Sequence, residues 1–488
     1  MRPAVVRRLR AGAVLAIVVV AVASCSSTDA GTDRAEAGSS TTTPATTTSA
    51  PAPDGVAGAD GVGDPYYPQL GNGGYDVAGY DLLIDWDADA ATIDATATIE
   101  LTPDEALDTF NLDLVGLAVD GVTVDGADAP FERAGRELTI DPEPVLLAGE
   151  AVSVVVDYGG APEPIQVGTD VFRVGWHTDG RDAYVVSEPA GAASWFPAND
   201  HPTDKARFRF EVTVPADLGV IANGVRRSVT EDAGRATFVY ESDRPMATYL
   251  ASVVIGDLAF DESTAAGLPL RSAYPHRLAD AARRDFGRVE EMLVAFQERF
   301  GPYPFDVYGH VVVDEQLGFA LENQTVSLFG TDLVTGGARI DSLVAHELAH
   351  QWYGNAVSPA TWKDIWLNEG FATYAEWVWA EVSGERSIAE SAAAAHGRAD
   401  FGVPPGDPGP EELFQRTVYV RGGLALYALS VQIGQETFDE LLRAWVERHG
   451  GGVASTADLQ ALAEELSGQD LEVFFADWVY GSSLPPLP

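Results

Sequence analysis

Two histidines and a glutamate in one short stretch of the sequence have the residue types and spacing of a metal site. His346 and His350 are four positions apart, so both imidazoles lie on one face of an α-helix. Zn²⁺ suits two imidazoles and one carboxylate, with a fourth position left for water or substrate. Glu347, next to the first histidine, can take a proton from a water at that position. The pattern predicts a zinc-dependent hydrolase.

A carboxylate further along the chain completes the predicted ligand set. Glu369 lies near the start of a second helical pattern, which runs to about residue 382, and it can face the first helix. A lone HExxH string also occurs as a solvated charged turn, and the downstream glutamate is what favours the metal site. We therefore predict that His346, His350 and Glu369 bind one Zn²⁺.

The segments that surround these residues resemble a known family. HELAHQWYGN at 346–355 and WLNEGFATYAEW at 366–377 are similar to segments of the zinc aminopeptidases related to aminopeptidase N and leukotriene hydrolase, a gluzincin family. The resemblance extends roughly from residue 75 to residue 488. It implies an aminopeptidase, which hydrolyses the first peptide bond of peptide substrates that have a free N-terminus.

A tyrosine after the zinc segments also matches the family. TVYVRGG at 417–423 resembles the family's Tyr-x-Lys-Gly segment, with Arg421 in place of the usual lysine. The resemblance implies that Tyr419 donates a hydrogen bond to the oxyanion that develops during hydrolysis. The alternative from the residues alone is a buried aromatic side chain at the start of a helix.

A third matching segment carries candidate substrate-binding residues. GFALEN at 318–323 resembles the family's Gly-x-Met-Glu-Asn signature, and Phe319 stands where the family prefers glycine. The resemblance implies that Ala320, Glu322 and Asn323 contact the substrate. A buried carboxylate is the partner that an α-ammonium group needs. The alternative for Glu322 is an ordinary solvated carboxylate at the end of a strand.

A second candidate amine-binding carboxylate lies much earlier in the chain. ASWFPANDHP at 193–202 resembles a stretch of the family's amino-terminal β domain, with His201 in place of the usual glutamate. Glu188 lies at the offset from this stretch where the family has a glutamine or glutamate that helps to hold the substrate's free amine. The alternative is an exposed carboxylate in a loop.

The elements that position these residues are predicted to form an α+β multidomain protein. Residues 75–261 show short alternating strands, which indicate an antiparallel β saddle or sandwich. A helical pattern at 277–300 and amphipathic helices near the C-terminus follow. We predict an N-terminal β domain at 66–262 and a thermolysin-like catalytic domain with a helical C-terminal lobe at 263–488.

The first residues read as an export signal. Residues 1–25 have an arginine-rich start, an apolar run and then VASC, which resembles a bacterial lipobox. We expect Cys25, the only cysteine, to be lipidated and to anchor the exported protein to the outer face of the bacterial cell membrane. An ordinary signal peptide is the alternative. Residues 26–65, rich in Thr, Ser, Ala and Pro, are predicted to be a disordered tether.

The composition narrows the possible functions. With 74 acidic and 30 basic residues, the formal net charge is −44, which argues against nucleic acid as a partner. Two other classes remain open from the sequence. One is a zinc endopeptidase or other zinc hydrolase that lacks an amine site, and the other is a non-catalytic binding protein on the same fold.

Overall fold

The computed structural model describes residues 54–167, 172–337, 340–398 and 402–488. The predicted export signal, Cys25 and most of the predicted tether lie outside the described residues. Within the described ranges, no helix is both long enough and apolar enough to cross a membrane.

The first part of the described chain consists almost entirely of β-strands. Buried and exposed residues alternate along the long strands, so that one face of each strand enters the core. The strands are β1 (Val56–Ala57), β2 (Tyr75–Asp87), β3 (Thr92–Pro103), β4 (Leu107–Asp113), β5 (Ala118–Val124), β6 (Ala127–Asp128), β7 (Phe131–Ala134), β8 (Glu137–Ile140), β9 (Val152–Gly160), β10 (Gly175–Asp179), β11 (Asp182–Val186), β12 (Lys205–Pro215), β13 (Gly219–Ala222), β14 (Val225–Asp232), β15 (Arg235–Ala247) and β16 (Val253–Gly256).

These strands form three sheets that share one hydrophobic core. The largest has eight strands in the order β14-β15-β12-β2-β3-β9-β5-β6. Its neighbours are antiparallel apart from β12 and β2, which run parallel. The smaller sheets have the orders β1-β4-β8-β7 and β10-β11-β16-β13. The predicted β-rich N-terminal domain is confirmed.

The second part of the chain adds a mixed sheet and then helices. The strands are β17 (Leu258–Ala265), β18 (Leu268–Pro275), β19 (His310–Val313), β20 (Ala320–Leu321), β21 (Ser327–Gly330), β22 (Val357–Pro359) and β23 (Gly452–Ala454). The helices are α1 (Ala279–Asp285), α2 (Val289–Phe300), α3 (Asp341–Ala349), α4 (Trp366–Val382), α5 (Ile388–His396), α6 (Arg416–Ile433), α7 (Gln435–His449), α8 (Thr456–Ser467) and α9 (Glu472–Trp478). Strand β20 is an edge strand, because its sheet has the order β17-β18-β19-β21-β20. The predicted α+β architecture with a helical C-terminal part is confirmed.

The single helical pattern predicted over 277–300 is wrong in detail. The structure has two helices, α1 and α2, which are separated at residues 286–288. Gly287 lies in this break, and glycine is a poor helix former because it loses more backbone freedom than other residues. The apolar stripe nevertheless continues across the break, since Phe286 and Val289 are both buried.

Helix α4 lies at the centre of the second part and is buried along most of its length. It packs against α3 on one side and α6 on another. The approach to α6 is close because two glycines meet, and a Cβ on Gly422 would lie only 2.8 Å from the Cα of Gly370. This crossing brings three helices together around one point, and the candidate site lies there.

The tether predicted to extend to residue 65 is wrong for residues 54–65. Strand β1 pairs in parallel with β4. Asp64 is buried, accepts a hydrogen bond of 2.8 Å from the backbone N–H of Trp362, and lies 3.2 Å from Nε2 of His201. The segment is held by polar contacts rather than by an apolar pattern, which is why its sequence resembles a linker. It also gives the unusual His201 a carboxylate partner.

Candidate active site

A cavity of about 600 Å³ lies between the β-rich part and the helices. Most of the predicted site residues line it, although they come from distant parts of the sequence. They are Glu188, Ala320, Glu322, His346, Glu347, His350, Glu369 and Tyr419. Asn323 is buried and is not part of the cavity wall, so the structure does not place it where it would touch a substrate.

The three predicted metal ligands converge at the floor of this cavity. His346 is in α3, His350 directly follows that helix, and Glu369 is in the first turn of α4. Oε2 of Glu369 lies 3.2 Å from Nε2 of His346 and 3.5 Å from Nε2 of His350. All three side chains are buried, and each offers one ligand atom within 4.8 Å of the others.

These separations fit a tetrahedral zinc shell. Ligand atoms that are 2.0–2.1 Å from Zn²⁺ at tetrahedral angles are about 3.4 Å apart. Burial by itself would raise the pKa of Glu369, but the imidazoles of His350 and His346 lower it to about 2. The carboxylate is therefore ionised and able to bind a cation. Two nitrogens and one oxygen form a donor set that zinc prefers.

Both histidines are oriented by a partner on their other ring nitrogen. Nδ1 of His346 lies 2.8 Å from Oε1 of Glu376, and Nδ1 of His350 lies 3.1 Å from the carbonyl oxygen of Tyr353. Such partners hold each ring in the tautomer that leaves Nε2 free for a metal. Glu376 is not among the site residues predicted from the sequence. Its position seven residues after Glu369 on α4, and hence on the same helix face, is the signal that could have found it.

Glu347 lines the cavity beside the ligands and is buried. Burial raises its pKa to about 8; Glu322 and Glu369 reinforce this shift, while the two histidines oppose it. A dication at the ligand cluster would also favour the ionised form. A carboxyl group poised in this way can both accept and return a proton.

Glu188 and Glu322 form a second group of carboxylates in the cavity. They offer oxygen atoms within 4.8 Å of one another and of Glu369. Each has one buried oxygen, Oε1, that has no hydrogen-bond partner. Burial raises the pKa of both, that of Glu188 well above its ordinary value. Two adjacent carboxyl groups with unpaired buried oxygens can accept hydrogen bonds from a cationic group, whose charge would favour their ionised form.

Side chains directly after the HExxH residues hold Glu322 in place. Gln351 Nε2 and Asn355 Nδ2 both donate to the carbonyl oxygen of Glu322, at 2.9 and 2.7 Å. Oε1 of the same glutamine accepts a hydrogen bond of 2.8 Å from the backbone N–H of Thr325. The sequence analysis did not foresee this link between the two matching segments, and the residues alone carry no signal for it.

Tyr419 enters the cavity from the first turn of α6. Its ring stacks on His346, with 5.8 Å between the ring centroids and 19° between the planes. Burial raises its pKa well above the ordinary value, so the phenol keeps its proton and can act as a hydrogen-bond donor. Arg421, two residues later, is fully buried and donates to carbonyl oxygens near the C-terminus, including those of Trp478 and Gly481.

The segment that carries Ala320 borders the cavity, and its backbone changes direction at Gly318. Gly318 has a φ of +76°, the left-handed conformation that glycine adopts easily. Phe319 therefore needs no unusual backbone, and its ring packs edge-on against Phe172 at a centroid distance of 4.9 Å. The substitution of phenylalanine for the family's glycine adds an aromatic wall to the cavity.

Comparison with known proteins agrees with this geometry. The profile described as the Peptidase M1 N-terminal domain matches residues 77–250, and that described as the Peptidase family M1 domain matches residues 285–478. The crystal structure of an M1 zinc metallopeptidase from Deinococcus radiodurans superimposes with a TM-score of 0.81 at 32% identity, over 88% of this chain and 98% of that chain. The chain belongs to peptidase family M1.

Other relatives of this M1 chain differ in how much of their own length the chain covers. A mutant of the Deinococcus radiodurans protein, described as bound to a Tyr-Ser-Ala substrate, has a TM-score of 0.81 at 31% identity, over 88% of this chain and 99% of that chain. Aminopeptidase 2 of Candida albicans is 25% identical over 83% of this chain and 47% of its own length. The M1 chain thus spans about half the length of the curated relatives it matches. Family membership and the zinc peptidases among the solved relatives confirm Zn²⁺ as the cofactor.

Proposed function

We propose that this M1 chain is a zinc aminopeptidase that removes the first residue from peptides with a free N-terminus. The observation that carries the proposal is the pair of carboxylates of Glu188 and Glu322, each with a buried Oε1, beside the zinc-ligand cluster. Their unpaired oxygens can accept hydrogen bonds, and an α-ammonium group is the cationic donor that a peptide substrate brings. The named aminopeptidases among the relatives support the same conclusion.

In the proposed reaction, the residues of the site have separate roles. Zn²⁺ held by His346, His350 and Glu369 would polarise the scissile carbonyl and acidify a water. Glu347 takes the proton from the attacking water and delivers it to the leaving amine. Tyr419 donates its phenol hydrogen to the negative charge that develops on the carbonyl oxygen.

The carboxylate pair also determines which peptides can react. A free α-ammonium makes charge-assisted hydrogen bonds to Glu188 and Glu322, whereas an acylated nitrogen has no charge and a bulky substituent. The substrate is held with its first peptide bond over the zinc ligands, because the carboxylates lie directly beside them. The bound amine and the reacting carbonyl therefore belong to the same residue, the first of the peptide.

A pair of reporter substrates tests this proposal. We expect the purified protein to contain one zinc per chain and to hydrolyse leucine coupled to an aromatic amine reporter, but not its N-acetylated form. Hydrolysis of the free and acetylated reporters at equal rates would leave a zinc peptidase without an amine site. No hydrolysis of any reporter by zinc-loaded protein would favour a binding protein on the same fold.

We also propose that the protein is exported and anchored by lipid on Cys25, at the outer face of the bacterial cell membrane. Support comes from the arginine-rich start, the apolar run and the VASC segment. More than one acyl chain would be needed for stable anchoring. Mass spectrometry of the mature terminus tests this, and we expect a lipidated Cys25 and release of the Cys25→Ser variant from membranes. An unmodified terminus at another residue would contradict it.

A further inference from the structure

A second cleft, of about 430 Å³, adjoins the active-site cavity. The two share Glu376 and Tyr419 in their walls. Glu188 and Glu322, the proposed amine site, line only the first cavity. The second cleft therefore meets the cavity beside His346, which both Glu376 and Tyr419 contact, and not at the two carboxylates of the amine site. A peptide whose amine is held by those carboxylates would extend its remaining residues towards this side.

Besides three carboxylates, those of Asp341, Glu376 and Glu385, the wall of this second cleft contains four arginine side chains. They are Arg288, Arg386, Arg398 and Arg416. Arg288 forms ion pairs with Glu291 and Asp341. Arg398 and Arg416 are exposed, and neither has an ion-pair partner among the residues that the structure describes.

Positive charge is scarce in this chain. Acidic residues outnumber basic ones by 74 to 30. Some exposed arginines, such as Arg181 and Arg448, are paired with carboxylates, whereas others, such as Arg207 in the β-rich part, have no ion pair among the residues that the structure describes. Arg416 also lies in the first turn of α6, where the helix dipole disfavours a positive charge. No ion pair among the described residues explains the position of Arg398 or of Arg416. The helix dipole favours Arg398, just beyond the C-terminal end of α5, but not Arg416.

We propose that Arg398 and Arg416 bind the terminal carboxylate of short peptide substrates, with Arg386 adding to the positive field. A guanidinium group binds a carboxylate through two parallel hydrogen bonds, which makes arginine well suited to this task. The proposal rests on the proposed function, because the amine site decides which end of the peptide enters the second cleft. The enzyme would then favour peptides of a few residues over long chains.

The length of the peptide is part of the proposal. Each residue beyond the scissile bond adds about 3.3–3.6 Å in an extended chain, so the carboxylate reaches further into the second cleft with each added residue. A carboxylate contact at a fixed place should therefore favour one length. Binding by general attraction to positive charge would not.

The test compares free acids with amides. Leu-Gly, Leu-Gly-Gly and Leu-Gly-Gly-Gly are assayed for kcat/KM as C-terminal acids and as C-terminal amides. We expect the acid to be preferred by about tenfold at one length, which is at the low end for charge-assisted contacts because the arginines are exposed. Hydrolysis of the leucine reporter, which has no carboxylate, tests the proposed function separately.

Two matched double variants identify the arginines responsible. The acid-to-amide ratio should fall close to one in Arg398→Gln/Arg416→Gln, mainly through KM. It should stay unchanged in Arg207→Gln/Arg244→Gln, which removes the same charge from exposed positions in the β-rich part. Because each ratio is measured within one variant, a loss of folded protein cancels.

Three results would overturn the proposal. The first is a ratio near one in the unaltered enzyme at every length, and the second is an equal fall in both double variants. The third comes from amides with glutamate as the second residue. If these are favoured through Arg398 and Arg416 while the free acids are not, the arginines recognise an acidic side chain instead of the terminus.

Discussion

The active-site cavity has a metal half, with the predicted zinc ligands, and an acidic half, with Glu188 and Glu322. The charged groups of the two halves differ in whether the protein itself supplies their partners. In the metal half, the outer ring nitrogens of His346 and His350 have partners, and the pKa of Glu369 is lowered to about 2 by the histidines that oppose its burial. In the acidic half, Glu188 and Glu322 keep unpaired oxygens and raised pKa values. The first half is organised within the protein, whereas the second needs a cation from the substrate.

This difference assigns separate tasks to the two halves. The metal half can be pre-organised for the reaction, because its orienting contacts exist before a substrate arrives. Under the proposed function, the acidic half is stabilised when a positive amine enters, and it would therefore select the substrate. Substitutions in the metal half should therefore lower kcat, and substitutions in the acidic half should mainly reduce discrimination.

The largest effect is expected for the proton carrier of the metal half. Glu347→Gln keeps the shape of the side chain and removes the base, so kcat should fall by about 10²–10⁴-fold. Zinc content and thermal unfolding should remain close to those of the unaltered protein. Glu298→Gln, an exposed position on α2, is the control. Near-normal kcat in Glu347→Gln would mean that another group carries the proton.

A smaller loss is expected when the phenol hydrogen is removed. Tyr419→Phe should lower kcat by about 10²–10³-fold, the usual cost of one oxyanion donor, with little change in KM. Tyr427→Phe removes a hydroxyl from the same helix away from the cavity and should leave kcat intact. If Tyr419→Phe instead changes KM alone, the tyrosine binds substrate and does not stabilise the oxyanion.

The acidic half should respond through specificity. Glu322→Gln removes one charged contact to the α-ammonium, so kcat/KM for a free aminoacyl reporter should fall by about ten- to a hundredfold. The preference over the N-acetylated reporter should shrink by a similar factor. An equal loss for both reporters would show that Glu322 supports the cavity structurally and does not read the amine. Glu298→Gln again serves as the control.

The smallest effect on turnover is expected at the residue that orients a ligand. Glu376→Ala removes the acceptor from Nδ1 of His346 and should weaken zinc binding by about 10–100-fold. Competition with a chelator measures this directly, and activity at saturating zinc should largely return. Glu376→Gln retains an acceptor oxygen and should bind zinc nearly as well as the unaltered protein. Unchanged zinc affinity in Glu376→Ala would show that Glu376 does not orient His346 for zinc binding.

The metal half could be predicted from the sequence because most of its residues are close together along the chain. His346, Glu347 and His350 lie within one helix and its end, so helix geometry alone brings them together. Glu369 lies on the next long helix, α4. Its role as the third ligand was predicted from the match to a family segment, because periodicity does not show which residue of α4 faces the histidines. The fold class followed from strand alternation and from the same resemblance.

The acidic half and its supports depended on the tertiary structure. Glu188 lies between β11 and β12 and Glu322 follows β20, and no local pattern indicates that they meet or that Gln351 and Asn355 hold the second. The same is true of residues 54–65, which resemble a linker but become ordered through Asp64.

The sequence by itself predicted the candidate zinc ligands, the candidate proton carrier and the class of fold. These depend on contacts within a few residues or on patterns that repeat along one element. Only the tertiary structure decided that two carboxylates remain unpaired beside the metal site, and that exposed arginines line the neighbouring cleft. Burial and pairing are properties of residues that are distant in sequence, because the free energy of a charge depends on everything around it in space.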